Sequence, residues 1–185
     1  QEGHSKSHGF PKAPGLWRVQ GRALALLAFM SPDTRPLAPL REVIARHGLG
    51  ARRVLGQHFL LDGNLIGRIV RQAGELAGRH VVEVGPGTGF LTEQLVQKAG
   101  KVLSVELDSN MVAILRAQFL FSKNLEITNQ DILKFKIQKS KFKNYKVVAN
   151  IPYYITSPLL KHFLQSEHRP ELMVVLVQRE VAEKV

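Results

Sequence analysis

The segment from Asn150 to Tyr153 carries residue types that could position a planar aromatic amine for reaction. The side-chain oxygen of Asn150 and the backbone carbonyl of Ile151 can accept the two hydrogens of such an amine, leaving its lone pair aimed outward. Pro152 stiffens the turn that orients these acceptors, and Tyr153 offers a flat face on which an unstacked ring can lie. Because the lone pair of an aromatic amine is delocalised, positioning would carry much of the catalysis. The alternative is an ordinary strand-to-helix turn with Tyr153 in the core.

A glycine-rich turn lies upstream, in the run Glu83-Val84-Gly85-Pro86-Gly87-Thr88-Gly89. Glycine lets the backbone approach a ligand closely. The nicotinamide-dinucleotide fingerprint requires a glycine where Phe90 stands, so the run does not fit that class. With an acid two residues before Gly85, the run resembles the first motif of S-adenosylmethionine-dependent methyltransferases. That resemblance implies that Gly85 and Gly87 lie against the cofactor.

Two further acids occur in register with these glycines. Glu106 lies 21 positions beyond Gly85, where a carboxylate can accept hydrogen bonds from both hydroxyls of a ribose. Asp131 follows the next strand and could accept a hydrogen bond from the amino group of the cofactor adenine. Each has an alternative role, since Glu106 or Asp108 could cap a helix and Asp131 could cap a turn.

The elements that must position these residues alternate along the chain. Four of the five apolar strand patterns are continuous or nearly so, which predicts a doubly wound α/β fold with a mostly parallel sheet covered on both faces. In such sheets ligands bind beyond the carboxyl ends of the strands, here just after Val84, Val105, Thr128 and Ala149. The predicted strands are His80 to Val84, Val102 to Glu106, Leu125 to Asn129, Lys146 to Ala149 and Leu172 to Val177, and the predicted helices are Leu40 to His47, Gly63 to Ala73, Leu91 to Lys98, Asn110 to Phe119 and Ser157 to Gln165.

Several separated motifs, in the same order, resemble the KsgA-type ribosomal RNA adenine N6,N6-dimethyltransferases. The likeness covers about residues 40 to 185. It is carried by Gly56-Gln57-His58-Phe59-Leu60-Leu61-Asp62, the glycine run from Glu83, Val105-Glu106-Leu107-Asp108, Asn150 to Pro158, and Gln178-Arg179-Glu180-Val181-Ala182.

The resemblance implies dimethylation of two adjacent adenines in small-subunit ribosomal RNA, with S-adenosyl-L-methionine as the methyl donor, during subunit assembly. By position, it implies that the cofactor-binding residues are Gln57, His58, Leu60, Gly85, Gly87, Glu106, Asp131 and Asn150. Two departures matter. The family usually has Asn where His58 stands, and it continues beyond the position of Val185 with two further strands and a small helical domain.

Composition bounds the partners and the compartment. A net charge of +11 and a pI near 10.2 favour attraction to polyanions, most often nucleic acid. The resemblance implies that this nucleic acid is ribosomal RNA. The chain has no cysteine, which excludes disulfides and thiolate metal sites and favours an intracellular setting. We expect a cytoplasmic monomer without a metal ion or membrane segment, made of a disordered or non-native extension at 1 to 35 and a methyltransferase domain at 36 to 185.

Two basic groups could contact RNA phosphates, although a charge run can also be a solvated loop. One is Lys134, Lys136, Lys139, Lys141, Lys143 and Lys146, and the other is Arg41, Arg46, Arg52 and Arg53. Other functions also remain open. They are a macrolide-resistance methyltransferase acting on large-subunit RNA, the mitochondrial transcription-factor branch of the same family, and a non-catalytic assembly factor that binds ribosomal RNA.

Overall fold

The computed structural model describes residues 16–19, 22–29, 63–137, 142, 144–151 and 153–178. In this part of the chain no helix is long and apolar enough to cross a membrane. The strands are β1 (Leu16–Val19), β2 (Arg22–Phe29), β3 (His80–Val84), β4 (Lys101–Glu106), β5 (Leu125–Asn129), β6 (Tyr145–Asn150) and β7 (Leu172–Gln178). The α-helices are α1 (Gly63–Gln72), α2 (Phe90–Lys98), α3 (Ser109–Gln118) and α4 (Thr156–Leu164), and a single 3₁₀ turn spans Tyr153–Ile155.

The described strands form one sheet in the order β1-β2-β7-β6-β3-β4-β5. From β2 to β5 all neighbours are parallel, and only β1 runs antiparallel to its neighbour. The five predicted strands are therefore confirmed within one residue at each end. The predicted doubly wound, mostly parallel α/β fold is also confirmed.

The core lies on both faces of this sheet. Val81 and Val82 point to opposite sides, as successive strand residues must, and each belongs to a different apolar cluster. On one face Val81 packs with α1 and α2, through side chains such as Ile69 and Leu95. On the other face Val82 packs with α4, including Leu159. This two-sided burial explains why the strands read as continuous apolar runs.

The backbone of residues 16–19 and 22–29 belongs to the sheet, although sequence analysis left residues 1 to 35 outside the domain. β2 pairs with β7 over seven residues, from Ala23 opposite Leu172 to Phe29 opposite Gln178. Periodicity alone does not identify a strand in an apolar run of this length. The predicted helix at Leu40 to His47 lies outside the described residues.

The side chain of Lys146, near the start of β6, forms hydrogen bonds with the backbone that follows α1. Its Nζ donates hydrogen bonds to the carbonyl oxygens of Ala73, at 2.6 Å, and Glu75, at 2.7 Å. Burial, followed by the nearby charge of Arg79, lowers the pKa of Lys146. Neither reading of the lysine run, as an RNA contact or as a solvated loop, therefore describes Lys146, because its ammonium group satisfies the carbonyls that follow a helix end.

Candidate active site

The carboxyl edge of the sheet brings the predicted site positions side by side. Val84 at the end of β3 pairs with Val105 of β4 on one side and with Ala149 of β6 on the other. The next residue of each strand is Gly85, Glu106 or Asn150. These three predicted site residues therefore occupy neighbouring positions at one edge, as expected for a doubly wound sheet.

Gly85 lies directly against the backbone of Asn150. Its φ of 67° is a left-handed conformation that side chains disfavour. A Cβ built at Gly85 would be 3.4 Å from the Asn150 carbonyl oxygen and 3.8 Å from Cγ2 of Ile151. The missing side chain therefore lets the glycine turn lie close to the amine-positioning motif.

The Glu106 carboxylate is oriented by two backbone hydrogen bonds and keeps acceptor positions for a ligand. Its side chain is 8% exposed. Oε2 accepts a hydrogen bond from the backbone N–H of Gly87 at 3.1 Å, and Oε1 accepts one from the N–H of Asp108 at 2.9 Å. A carboxylate offers about four lone-pair positions, so roughly two remain for the hydroxyls of a ribose. Asp108, whose side chain accepts from the N–H of Asn110, is the helix cap, so Glu106 does not have that alternative role.

Asn129, which the sequence analysis named only as the end of a strand, fixes the turn after β4. Its Nδ2 donates to the carbonyl oxygens of Glu106 and Leu107, both at 3.0 Å. Leu107, which follows Glu106 in the chain, is 72% exposed and presents a large apolar surface. The signal for Asn129 was its place directly after Thr128, one of the strand-end positions.

Asp131 shows the turn-capping role that was its alternative reading. Its Oδ1 accepts a hydrogen bond from the N–H of Leu133 at 2.9 Å, and the chain turns through residues 132–134. The side chain is half-buried. Capping uses one oxygen and leaves acceptor capacity on the second, so it is compatible with a ligand contact.

Glu83 is a buried carboxyl that sequence analysis noted only as the acid before the glycines. Its Oε2 accepts hydrogen bonds from Thr92 Oγ1 at 2.8 Å and from Ser104 Oγ at 2.6 Å, and Oε1 has no partner among the described residues. Burial raises the pKa of Glu83 to about 7, against the lowering effect of the two hydroxyls. This carboxyl therefore joins β3, β4 and α2 beneath the glycine turn.

The amine-positioning motif follows β6. Asn150 is half-buried and Ile151 is buried, so the backbone carrying the predicted acceptors is anchored in the sheet and core. The chain then forms the 3₁₀ turn Tyr153–Ile155 and enters α4. Tyr154, not singled out from the sequence, is 70% exposed beside this motif.

Other predicted site residues lie outside the described part of the chain. They are Gln57, His58, Leu60 and Pro152, together with the side chain of Tyr153 and the basic residues Arg41, Arg46, Arg52, Arg53, Lys139, Lys141 and Lys143. Lys134 and Lys136 are described and are exposed. Their predicted contact with RNA stays a prediction.

Two of the solved structures that match this chain resemble it in both sequence and fold. The crystal structure of the 23S rRNA methyltransferase ErmE is 32% identical, with a TM-score of 0.59, over 66% of this chain and 49% of that one. The structure of a dimethyladenosine transferase from Plasmodium falciparum is 31% identical, with a TM-score of 0.60, over 66% and 44%.

Curated relatives show the same likeness. Ribosomal RNA small subunit methyltransferase A of Dehalococcoides mccartyi is 44% identical over 80% of this chain and 52% of that protein. The protein of the same name from Enterococcus faecalis is 38% identical, over 78% and 51%. The chain thus spans about half the length of the curated relatives it matches. The family model described as ribosomal RNA adenine dimethylase matches residues 48–185, so the chain belongs to that family.

Proposed function

We propose that this protein transfers methyl groups from S-adenosyl-L-methionine to N6 of two adjacent adenosines in small-subunit ribosomal RNA. The observation that carries the proposal is the contiguity of Gly85, Glu106 and Asn150 on three paired strands. We place a nucleoside-containing donor and an amine acceptor side by side along this edge. Family membership supports this chemistry.

The described residues fit the cofactor. Glu106 has acceptor capacity left for ribose hydroxyls, and the exposed Leu107 next to it offers an apolar surface for the adenine ring. Asp131 keeps one oxygen for the adenine amino group, and we place the methionine end against Gly85, as the family resemblance implies. When bound, S-adenosyl-L-methionine supplies a methyl group on a positively charged sulfur. By resemblance, Gln57, His58 and Leu60 complete the site, with Gly87 in its turn.

Asn150 and Ile151 position the substrate amine. We assign the Asn150 side-chain oxygen and the Ile151 carbonyl as acceptors for the two N6 hydrogens, which directs the nitrogen lone pair toward Gly85. Pro152 stiffens the turn, and Tyr153 provides the stacking face for the extruded base. No general base is needed before transfer, since the nitrogen becomes acidic only after methylation. The rate gain then comes mainly from orientation.

The relatives differ in the RNA that their names specify. Those at 38% to 44% identity are small-subunit methyltransferases, whereas ErmE, at 32%, is a 23S methyltransferase. The higher identity favours the small subunit, and large-subunit RNA is the second candidate substrate. We further propose a monomeric, cytoplasmic enzyme that works without a metal ion. The predicted domain start at residue 36 is not kept, because β1 and β2 belong to the same sheet as the strands of the site.

A methyl-transfer assay with three RNA substrates tests the proposal. The protein and donor labelled in its methyl group are offered small-subunit particles lacking the modification, large-subunit RNA, and an RNA without adenosine. We expect label in N6,N6-dimethyladenosine of the small-subunit particles alone. Label confined to large-subunit RNA would support the second candidate. Donor binding without transfer to any RNA would contradict an enzymatic role and favour an RNA-binding assembly factor.

A further inference from the structure

The chain just after Asn150 presents one exposed face of unusual composition. Exposed residues recur at intervals of three and four, while Leu159, Leu160 and Phe163 on the opposite side are buried in the core. This periodicity is that of a helix lying on the sheet with one side in water. The outward residues, which we call the Tyr154 face, are Tyr154, Ser157, Pro158 and Lys161.

Tyr154 stands out on this face because a large aromatic side chain is 70% exposed there. Aromatic rings in water are favourable stacking platforms for nucleic-acid bases, and every base has a π-face that can use them. Tyr154 lies four residues beyond Asn150 and directly after Tyr153 in the same 3₁₀ turn. It is therefore adjacent to the acceptor motif but distinct from the residue proposed to stack the target base.

The charge of the surroundings fits a phosphate backbone. No acidic residue occurs between Asn150 and Ser166. Lys161 follows Tyr154 by seven residues, through the end of the 3₁₀ turn and the first turns of α4. This path rises roughly 10 Å, which is within reach of a phosphate one or two nucleotides away.

Two further cations lie beside α4. Lys134 and Lys136 are exposed. The carbonyl oxygen of Phe135, which lies between them, is 3.1 Å from Nε2 of His162 in α4. The two lysines therefore add positive charge beside α4. An apolar protein partner would find only one large apolar side chain on this face, so single-stranded RNA fits it better.

We propose that the Tyr154 face binds the RNA nucleotide next to the target adenine, whose base stacks on Tyr154 while a nearby phosphate contacts Lys161. This inference rests on the proposed function, which supplies RNA as the substrate. It makes Tyr154 a positioning residue that governs RNA affinity and the choice of site. A second platform beside the first suits a substrate in which two neighbouring adenines are presented in turn.

The test measures binding of the full chain to a short fluorescent single-stranded RNA containing two adjacent adenosines, with and without an abasic position next to the target. Wild type should bind the abasic RNA on the order of tenfold more weakly, the scale of one lost stacking contact. Tyr154→Ala should bind intact RNA on the order of tenfold more weakly and lose nothing further with the abasic RNA. Tyr154→Phe should restore the wild-type pattern.

Matched controls use similar side chains elsewhere on the surface. Phe121 is 90% exposed beyond the end of α3, and Lys98 is exposed in the last turn of α2. Phe121→Ala and Lys98→Ala should bind RNA as wild type does. Lys161→Ala should lower affinity severalfold and reduce the log-log salt slope by about 0.7, the value for one single-strand phosphate. Thermal melting of each variant shows whether it is folded.

Kinetics separate this inference from the proposed function. If the inference holds, Tyr154→Ala raises KM for RNA with little change in kcat. RNA binding and KM that do not respond to Tyr154→Ala would overturn the inference while leaving methyl transfer intact, and would favour a protein partner for this face. The inference would also be overturned if Tyr154→Ala weakened the binding of intact RNA and of abasic RNA by the same factor. Stacking at Tyr154 without transfer by wild type would instead sink the proposed function alone.

Discussion

The backbone N–H of Gly87 donates a hydrogen bond to Oε2 of Glu106 at 3.1 Å. The glycine turn after β3 and the carboxylate that ends β4 therefore hold each other in place. Because the N–H of Asp108 occupies the other carboxylate oxygen, both oxygens have a fixed orientation before any ligand arrives. Such preorganisation lowers the cost of binding.

Glu106→Gln should weaken S-adenosyl-L-methionine binding roughly 10- to 100-fold, because hydrogen bonds to a charged group contribute about 1.5–3 kcal/mol. The amide –NH₂ of Gln would also face one of the two backbone donors, which displaces the turn. Isothermal titration calorimetry measures the affinity. Glu126→Gln is the control, since Glu126 is an exposed acid of β5 in a surface ion pair with Lys101 and should leave the affinity unchanged. Equal affinities of the Glu106→Gln variant and wild type would remove Glu106 from the site.

Gly85→Ala and Gly78→Ala separate backbone strain from the site itself. The two glycines have φ values of 67° and 68°, so alanine at either should cost about 1–2 kcal/mol of folding free energy. A Cβ at Gly78 meets nothing within 4 Å, whereas one at Gly85 contacts Asn150 and Ile151. Urea denaturation should therefore show similar losses of stability, but only Gly85→Ala should reduce methyl transfer. Equal activities of the two variants would contradict the placement of the reacting groups beside Gly85.

Glu83→Gln should flatten the dependence of stability on pH. Burial raises the pKa of Glu83 to about 7 from its ordinary value of 4.5, so between these values the folded state holds a proton that the unfolded state has released. The stabilisation that comes from this proton is fully present below pH 4.5, and about 3 kcal/mol of folding free energy is lost as the pH rises through 7. Unfolding in urea at pH 5 and pH 8 measures the difference between wild type and variant. An equal change in unfolding free energy between pH 5 and pH 8 for the two proteins would show that Glu83 carries no such proton.

Asn150→Ala should abolish measurable transfer and leave cofactor affinity largely intact. The substitution removes one acceptor for the N6 hydrogens, while β6 and the buried Ile151 keep the backbone in place. Single-turnover transfer at saturating RNA, beside calorimetric binding of the donor, gives the two quantities separately. Undiminished turnover would refute the role assigned to Asn150.

The predictable part of the site depends on local patterns, and the rest depends on register. Gly85, Glu106 and Asn150 each lie at the end of an apolar strand pattern. Their common edge could therefore be predicted from the alternation of strand and helix patterns along the chain. The clamp made by Asn129 could not, because it requires the pairing of Glu106 with Asn129 across β4 and β5. Lys146 was misassigned for the same reason. Its partners lie 73 and 71 positions earlier in the chain, and nothing in a run of lysines shows which one meets a helix end.

The pairing of β3 with β6 has a consequence for how the two reactants meet. These strands pair over five residues, from His80 opposite Tyr145 to Val84 opposite Ala149, and neighbouring strands lie about 4.8 Å apart. With the donor against Gly85 and the amine on Asn150, as proposed, the pairing of two adjacent strands sets the separation between the two reactants. The loops and helix surfaces that determine RNA specificity can therefore differ among relatives without changing the distance between methyl donor and acceptor.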